Sequence, residues 1–592
     1  MDDPRKQGPQ QGPIDWSEFI KQAQQSGAGA DFNKIKSRFS HLKKRTIVIA
    51  AVVLVLVLAL AYWWFHPAIN IQSIDLWGFL VVILALVTFV LFVFRQIYQT
   101  GMGKREKSPK KVKLFTGLMV IPIAIAVIGA VGWLASQSFF PGNAEKYSTV
   151  LVTEDADFAT DIPEVNYSEI PFIDKDSAIL LGNRTMGTMA DYVSQFEISD
   201  LYSQINYKGQ PVRVSPLNYA DFFKWWANKD GGIPAYVIVN MSTQDTEIVR
   251  LENPIRYSDS DPFFYNVDRH VQLSHPFYMF DEKSFEINDD GEPFWIYPVQ
   301  KRTIGLFGGT TIQRVVLCNA STGECQDYAI EDVPQWVDRA YPAELLIEQY
   351  NWSGALSGGW INSWLGQNGV KQTTPSTDGK SGFNYIAQDD DVWVYSGVTS
   401  ATADNSIIGC VMINQRTAES KFYSVAGATE ESAMRSAEGQ VQHLQYDATF
   451  PLLINVDGQP TYFMALKDAA GLVKMYAMVD IQRYQNVAVG DTLAATEKSY
   501  KQLLVNQGIN VGGSDASAHP SAGSTSGTIA SISPVVLDGN SHYYLILDGQ
   551  QAIFDCPVAS VVDVVRYKVG DVIVLNHGSS EGNVVLVDSI GE

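Results

Sequence analysis

Three uninterrupted apolar runs, all within the first quarter of the chain, constrain its architecture more than any other feature. Thr46 to Phe65 (TIVIAAVVLVLVLALAYWWF) holds no charge over 20 residues, enough as a helix to cross about 30 Å of hydrocarbon. Leu76 to Phe94 and Leu114 to Ala135 are comparable. Trp63, Trp64, Trp77 and Trp133 stand near their ends, where amphipathic indoles favour a membrane–water interface. The first run follows 45 polar residues, exceeds the length of a signal-peptide core and lacks a small-residue cleavage site, so it reads as a retained span. No run contains an internal ionisable residue, which argues against a proton relay or an ion-coupled pathway. Pro122, inside the third run, reads as a tolerated kink.

Charge divides the chain at the same place. Residues 1–136 carry 16 Lys+Arg against 7 Asp+Glu, a net of +9, and the other 456 residues carry 27 against 57, a net of −30. The overall −21 therefore belongs to no single part of the molecule. The basic residues also set an orientation. Lys34, Lys36, Arg38, Lys43, Lys44 and Arg45 precede the first run, and seven Lys/Arg lie between Arg95 and Lys113, whereas His66 to Asp75 has none. The positive-inside bias puts the N-terminus and the second connection in the cytoplasm, with everything beyond about residue 137 outside. Phe32, Ile35, Phe39 and Leu42 are spaced so that the six flanking cations could also rest on an anionic leaflet as a surface helix.

The outer part is repetitive. Ile205–Pro211 (INYKGQP), Ile287–Pro293 (INDDGEP) and Ile454–Pro460 (INVDGQP) share one turn motif, and Ile386–Tyr395 (IAQDDDVWVY) is a degenerate copy. A second motif, an aliphatic strand ending in Asn and followed by Thr three residues on, occurs at Asn240, Asn319 and Asn414, with Glu247, Glu324 and Glu419 behind it. Val479-Asp480-Ile481 reads as an eroded fourth. Asx and Gly between apolar strands are turn chemistry, so the alternating motifs predict four α+β units near 200–250, 285–335, 383–427 and 450–485, built from antiparallel hairpins. Helical spacing adds candidates around 189–198, 220–228, 342–350, 430–445 and 492–506.

The resulting expectation is an α+β chain: a basic tail (1–45), a three-helix anchor (46–136), a repeat region (137–507), a Gly/Ser linker (508–527) and a small all-β barrel (528–592). Ile312–Ile330 (IQRVVLCNASTGECQDYAI), followed by EDVPQWV, resembles a PepSY-type segment, and the wider chain is similar to uncharacterised multi-pass membrane proteins of Gram-positive bacteria. That resemblance implies binding to envelope or secreted proteins and supplies no catalytic residue. The final 65 residues resemble an OB-type barrel with Tyr567–Asp571 as a late turn, but Arg566 and Lys568 against eight acids repel phosphates, so no nucleic-acid partner is expected.

Few residues suggest chemistry. Cys318 and Cys325 flank the turn of one predicted hairpin, where a disulfide would clamp it outside the cell; Cys410 and Cys556 read as buried thiols. His270 and His275 form a loop pair with no third ligand in sequence, and Asp289-Asp290 and Asp389–Asp391 read as solvated turns. No metal-ligand spacing, nucleophile motif or phosphate-binding loop occurs. The expected function is a non-enzymatic, membrane-anchored binding or scaffold protein of the bacterial envelope, without cofactor or metal. An auxiliary subunit of an integral membrane complex and an unrecognised envelope hydrolase are the alternatives.

Overall fold

A computed structural model describes residues 44–100, 108–164, 170–375, 382–388, 390–401, 406–507, 509, 523–537, 540–550, 552–558, 561–577 and 584–591. It divides into two compact units, Met1–Thr496 and Glu497–Glu592. Three apolar helices open the first unit: α1 (Lys44–Phe65), α2 (Ile74–Thr100) and α3 (Pro109–Ala135). Of these, α2 and α3 are long and apolar enough to cross a membrane; the apolar stretch described in α1, Val52–Phe65, is shorter. Leu86, Phe89, Ile123 and Ile128 are among many large side chains on α2 and α3 left exposed, so no other part of the protein among the described residues covers these faces. Pro122 is accommodated without breaking α3.

Beyond the helices, four antiparallel meanders follow one another, each with its own sheet. The first comprises β1 (Ser203–Tyr207), β2 (Gln210–Tyr219), β3 (Ile233–Asn240) and β4 (Thr246–Ile255). The second comprises β5 (Ser284–Ile287), β6 (Pro293–Ile304), β7 (Gly308–Asn319) and β8 (Cys325–Ala329). In the third are β9 (Asn384–Gln388), β10 (Asp391–Ser400), β11 (Gly409–Asn414) and β12 (Ser420–Tyr423). The fourth holds β13 (Leu452–Val456), β14 (Gln459–Lys467), β15 (Val473–Asp480) and β16 (Val487–Gly490). Short extra strands extend three of them, including Thr153–Ala156, which lies parallel to β12.

One recurrent turn gives the meanders a common register, and their first hairpins differ. In the first hairpin, Lys208-Gly209 and Asp457-Gly458 both take positive φ (54° and 76°, 51° and 79°), the backbone of a two-residue type I′ turn. The second meander has a longer loop in which only Gly291 (φ 80°) is left-handed. In the second turn the Oδ1 of Asn240, Asn319, Asn414 and Asp480 accepts the backbone N–H groups two and three residues on. These residues sit opposite Val212, Phe294, Trp393 and Thr461, so the register is the same four times. Asp480 is thus a full fourth copy. The acid position is corrected in the first meander: Asp245, not Glu247, closes the turn with its carbonyl, as Glu324 and Glu419 do.

Apolar cores lie between successive sheets. Leu346 and Tyr350, from the helix Ala343–Leu356, are buried among Ile296, Val315 and Leu317 of the second sheet and Val394 and Val411 of the third. Tyr395 and Met412 of the third meet Tyr462, Met464 and Val479 of the fourth. Expected helices recur at Phe222–Asn228, Ala343–Leu356, Glu430–Gln440 and Leu493–Asn506, whereas 189–198 is one turn, Ala190–Val193, followed by the strand Phe196–Ile198. Asp391 is not a solvated turn acid: it is 5% exposed, accepts two bonds from Arg416 (2.7 and 2.8 Å) and one from Asn414.

The second unit carries a closed five-stranded barrel: β17 (Gly523–Leu537), β18 (Asn540–Leu547), β19 (Ile553–Pro557), β20 (Val572–His577) and β21 (Val584–Gly591). Its order is β17-β18-β19-β21-β20, closing back on β17, with β19 and β21 parallel. Closure leaves no open edge. One boundary differs from expectation: residues 523–527 belong to β17 rather than to a linker. A 3₁₀ turn, Val562–Arg566, precedes β20. Residues 511–522 and the tail before Lys44 lie outside the described residues.

Two outcomes test this fold. Asn414 is 2% exposed and satisfies two amides and Asp391, so Asn414→Ala strands buried partners and is expected to cost about 2–3 kcal/mol, measured by chemical unfolding. The half-buried Asn240→Ala should cost about 1 kcal/mol; equal, negligible losses would mean the turns do not fix the meanders. The second outcome concerns Asp338, 1% exposed, whose Oδ2 accepts the Asn206 N–H (2.6 Å) while Oδ1 has no partner. Burial and the neighbouring Glu286 carboxylate hold its pKa well above the ordinary range. Because the folded pKa exceeds the unfolded one, its contribution to stability is full below about pH 4 and is lost as pH rises through the folded value. Asp338→Asn should therefore unfold at a higher temperature than the parent near pH 8 and lose that advantage near pH 4.

Candidate functional site

The ends of α1 and α3 are fastened to the meanders by polar contacts. Arg269 Nε donates to the Trp63 carbonyl (3.0 Å), its guanidinium lies 4.0 Å above the Trp63 ring, and it also bonds the Phe263 carbonyl. Ile69 N and Asn70 Nδ2 donate to the carbonyls of Pro276 (2.6 Å) and Phe277 (3.1 Å). At the end of α3, Ser136 Oγ accepts the amides of Leu306 and Phe307 (2.8 and 2.9 Å) from the β6–β7 turn. Gly132 permits this approach, since a Cβ there would stand 2.7 Å from Leu306. The β6–β7 turn and the helix Val267–Ser274 thus face the same ends of the helices.

Exposed aromatic and aliphatic side chains accompany these contacts. Phe264 (79% exposed) stands 5.9 Å from the Trp63 ring, and Phe277 (63%) lies beside Asn70. Trp360 packs on Phe139, which follows α3, and stacks on Trp364; Ile361, Trp364 and Leu365 are each about two-thirds exposed. Phe223 and Trp226 extend this group through Trp225, which packs on Phe263. Such a set is larger than the scattered apolar residues of an ordinary surface.

The helix Val267–Ser274 that carries Arg269 also brings a chemically distinct group together. Cys318 of β7 and Cys325 of β8 are directly opposite in register. The neighbouring Asn319–Glu324 pair is hydrogen-bonded, so by alternation the cysteines form a non-hydrogen-bonded pair, where antiparallel side chains approach most closely. His270 sits beside them: its Nε2 donates to the Gly323 carbonyl (2.8 Å), which leaves Nδ1 to bond Cys325, as donor when the imidazole is protonated and the sulfur is a thiolate. Tyr257 covers the imidazole at 4.3 Å between ring centres. Gly323 has φ +77°, and a Cβ there would collide with the Tyr257 ring, so both the turn and the cluster require glycine.

The donor atoms of His270, Cys318 and Cys325 all lie within 4.8 Å of one another. Both sulfurs are free thiols in this structure, so the bond expected between them is not formed here; the register that permits it is. A hydrogen bond from Cys318, then one from His270, holds the Cys325 thiol well below its ordinary range, whereas Cys318 is pushed up. The set can close a disulfide or offer two sulfurs and an imidazole to a thiophilic cation such as Zn²⁺. His270 is not part of a loop pair with His275 as expected: it lies on the helix Val267–Ser274 and meets Cys318 and Cys325, 48 and 55 residues away, a separation that hides the contact in sequence. Cys410 and Cys556 are buried and isolated, both raised by burial, Cys556 to about 12. Of the basic candidates, Lys34, Lys36, Arg38 and Lys43 lie outside the described residues, and Lys44 and Arg45 begin α1.

No family model matches the chain, and no curated protein does. Among solved structures, two variants of Synechocystis apocarotenoid oxygenase align at 10% identity and a TM-score of 0.15. The first alignment covers 50% of this chain and 62% of that one, so the chain spans about three-fifths of that structure. A likeness at this TM-score carries no argument about fold or chemistry.

A mild thiol oxidant such as diamide should remove two electrons and two protons from Cys318 and Cys325, joining their sulfurs and reducing the diazene to its hydrazine. Native mass spectrometry would show loss of two hydrogens and a peptide linked through these residues. His270→Ala should slow closure about tenfold by reducing the thiolate fraction. Linkage to Cys410 or Cys556 instead would contradict the geometry.

Proposed function

We propose that this chain is a multi-pass plasma-membrane protein of the bacterial envelope whose outer body acts as a non-enzymatic binding or scaffold module. The observation that carries this reading is the aromatic rim around the contacts between the apolar helices and the meanders. Phe264, Phe277, Trp360 and Trp364 lie where the helices end, and amphipathic or aromatic side chains at that level are favoured by lipid headgroups. The exposed apolar surfaces of α2 and α3 support the same reading, because water would oppose them and hydrocarbon would not.

In this account α1, α2 and α3 all span the bilayer. The N-terminus and the connection between the second and third spans face the cytoplasm, and residues after about 137 face outward. The loop after α1 and the segment after α3 both touch the meanders, as an outside–outside pair must. The repeat region is read as PepSY-like and the terminal barrel as OB-like. The barrel's closed order with one parallel pair supports the latter, and its acidic composition favours a protein partner over nucleic acid. The partner class is an envelope or secreted protein presented to a surface of net charge −30.

Cysteine labelling on intact cells tests the topology. Glu145→Cys should react with a membrane-impermeant maleimide, above the background of the parent chain, whereas Met102→Cys should react only after the cells are opened. Labelling of both positions, or of Met102→Cys alone, would contradict the orientation.

A further inference from the structure

The four meanders meet through their first strands. Phe285 N of β5 donates to Ser203 Oγ of β1 (3.0 Å), Asn206 N of β1 to Asp338, and Asn384 Nδ2 of β9 to the carbonyl of Phe450, just before β13 (3.0 Å). Where these strands begin lies a cavity of about 310 Å³, lined from all four meanders by residues that include Gln204, Glu282, Tyr385 and Leu452. That volume is at the lower end of small-molecule sites.

Its polar wall sets buried donors beside three carboxylates, Asp174, Glu282 and Glu344. Arg213 of β2 is 5% exposed and bonds only uncharged oxygens, the Ile173 carbonyl and Gln204 Oε1, both at 3.3 Å. Among the described residues no carboxylate bonds it directly; Asp174, on the same lining, is held by Lys467 and Ser177 and acts on it only through space. Burial lowers its pKa to about 10. Gln204 Nε2 and Arg339 Nε, both on the lining, are buried without an acceptor. A buried guanidinium and two orphaned N–H groups are costly unless an anion completes them. The remaining wall is apolar, with Phe172, Phe383, Phe450, Phe463 and Met464. Glu282 and Glu344 also line the cavity and are exposed; against the lowering by burial, they act through space with Tyr385 and Glu286 to raise the Arg339 pKa.

We propose that this cavity is a binding site for a small monocarboxylate with an apolar body. Arg213 and Arg339 take the carboxylate, with Gln204 as an added donor, and the phenylalanine wall takes the hydrocarbon. A planar carboxylate matches the guanidinium fork in shape and in single charge, whereas the second charge of a phosphate dianion would be repelled more strongly by Asp174, Glu282 and Glu344. The proposal rests on reading the outer body as a binding module, and it names that module's ligand class.

The test uses the full chain in detergent, with calorimetry and thermal unfolding against straight-chain and aryl monocarboxylates of four to ten carbons. The corresponding primary amides and inorganic phosphate are the comparisons. At least one carboxylate should bind saturably and raise the unfolding temperature, its amide at least tenfold more weakly. Arg339→Gln, at a half-buried side chain outside any ion pair among the described residues, should weaken that carboxylate about tenfold while unfolding like the parent. Arg213→Gln should abolish binding. No binding across the series, equal binding of acid and amide, preference for phosphate, or an unchanged affinity in Arg339→Gln would each overturn the carboxylate site. None of those results bears on the cysteine-labelling topology, which stands or falls separately.

Discussion

One side-chain oxygen accepting two successive backbone amides is the interaction on which the meander region depends. Asn240, Asn319, Asn414 and Asp480 each perform it at the same register, and each thereby sets where the third strand stops and the fourth begins. A one-residue slip would turn every inward side chain outward. Fixing the turn therefore fixes which faces of the sheets bury Tyr395, Tyr462 and Leu317. The type I′ turns of the first and fourth meanders do the same for their first hairpins.

That equivalence explains how one turn chemistry yields different local features. In the second meander the turn brings Cys318 and Cys325 together and supplies the Gly323 carbonyl that orients His270. In the third it holds Asn414 against Asp391, which takes the bidentate grip of Arg416. Repetition supplies the frame, and substitution at equivalent positions supplies the chemistry. The helix Val267–Ser274 then links two of these features, since Arg269 grips the end of α1 while His270, one residue on, reaches the thiols.

Much of this was legible from residues alone because turns are local. Asn, Asp and Gly at fixed spacing announce a hairpin without knowledge of its neighbours, and the period of the motifs gave the number of units. The apolar helices were equally plain, since length and absence of charge need no tertiary context. What sequence did not reveal is long-range. His270 meets cysteines 48 and 55 residues away, and Arg213 lies on a strand whose alternation reads as ordinary sheet. Asp391 looked like a solvated turn acid because its partner, Arg416, lies in the turn two strands later in the same meander. Burial of a charged group follows from packing between units, and a pattern of period two cannot carry that information.

The central claim is that the outer body rests on a lipid bilayer through the aromatic rim beside the helix ends. Spin labelling at Ile361→Cys, in a background lacking the native cysteines and reconstituted in lipid vesicles, tests it most directly. The account expects molecular oxygen, which concentrates in hydrocarbon, to relax the label more effectively than a water-soluble nickel chelate. A label relaxed more strongly by the nickel chelate, as at an open aqueous surface, would contradict it.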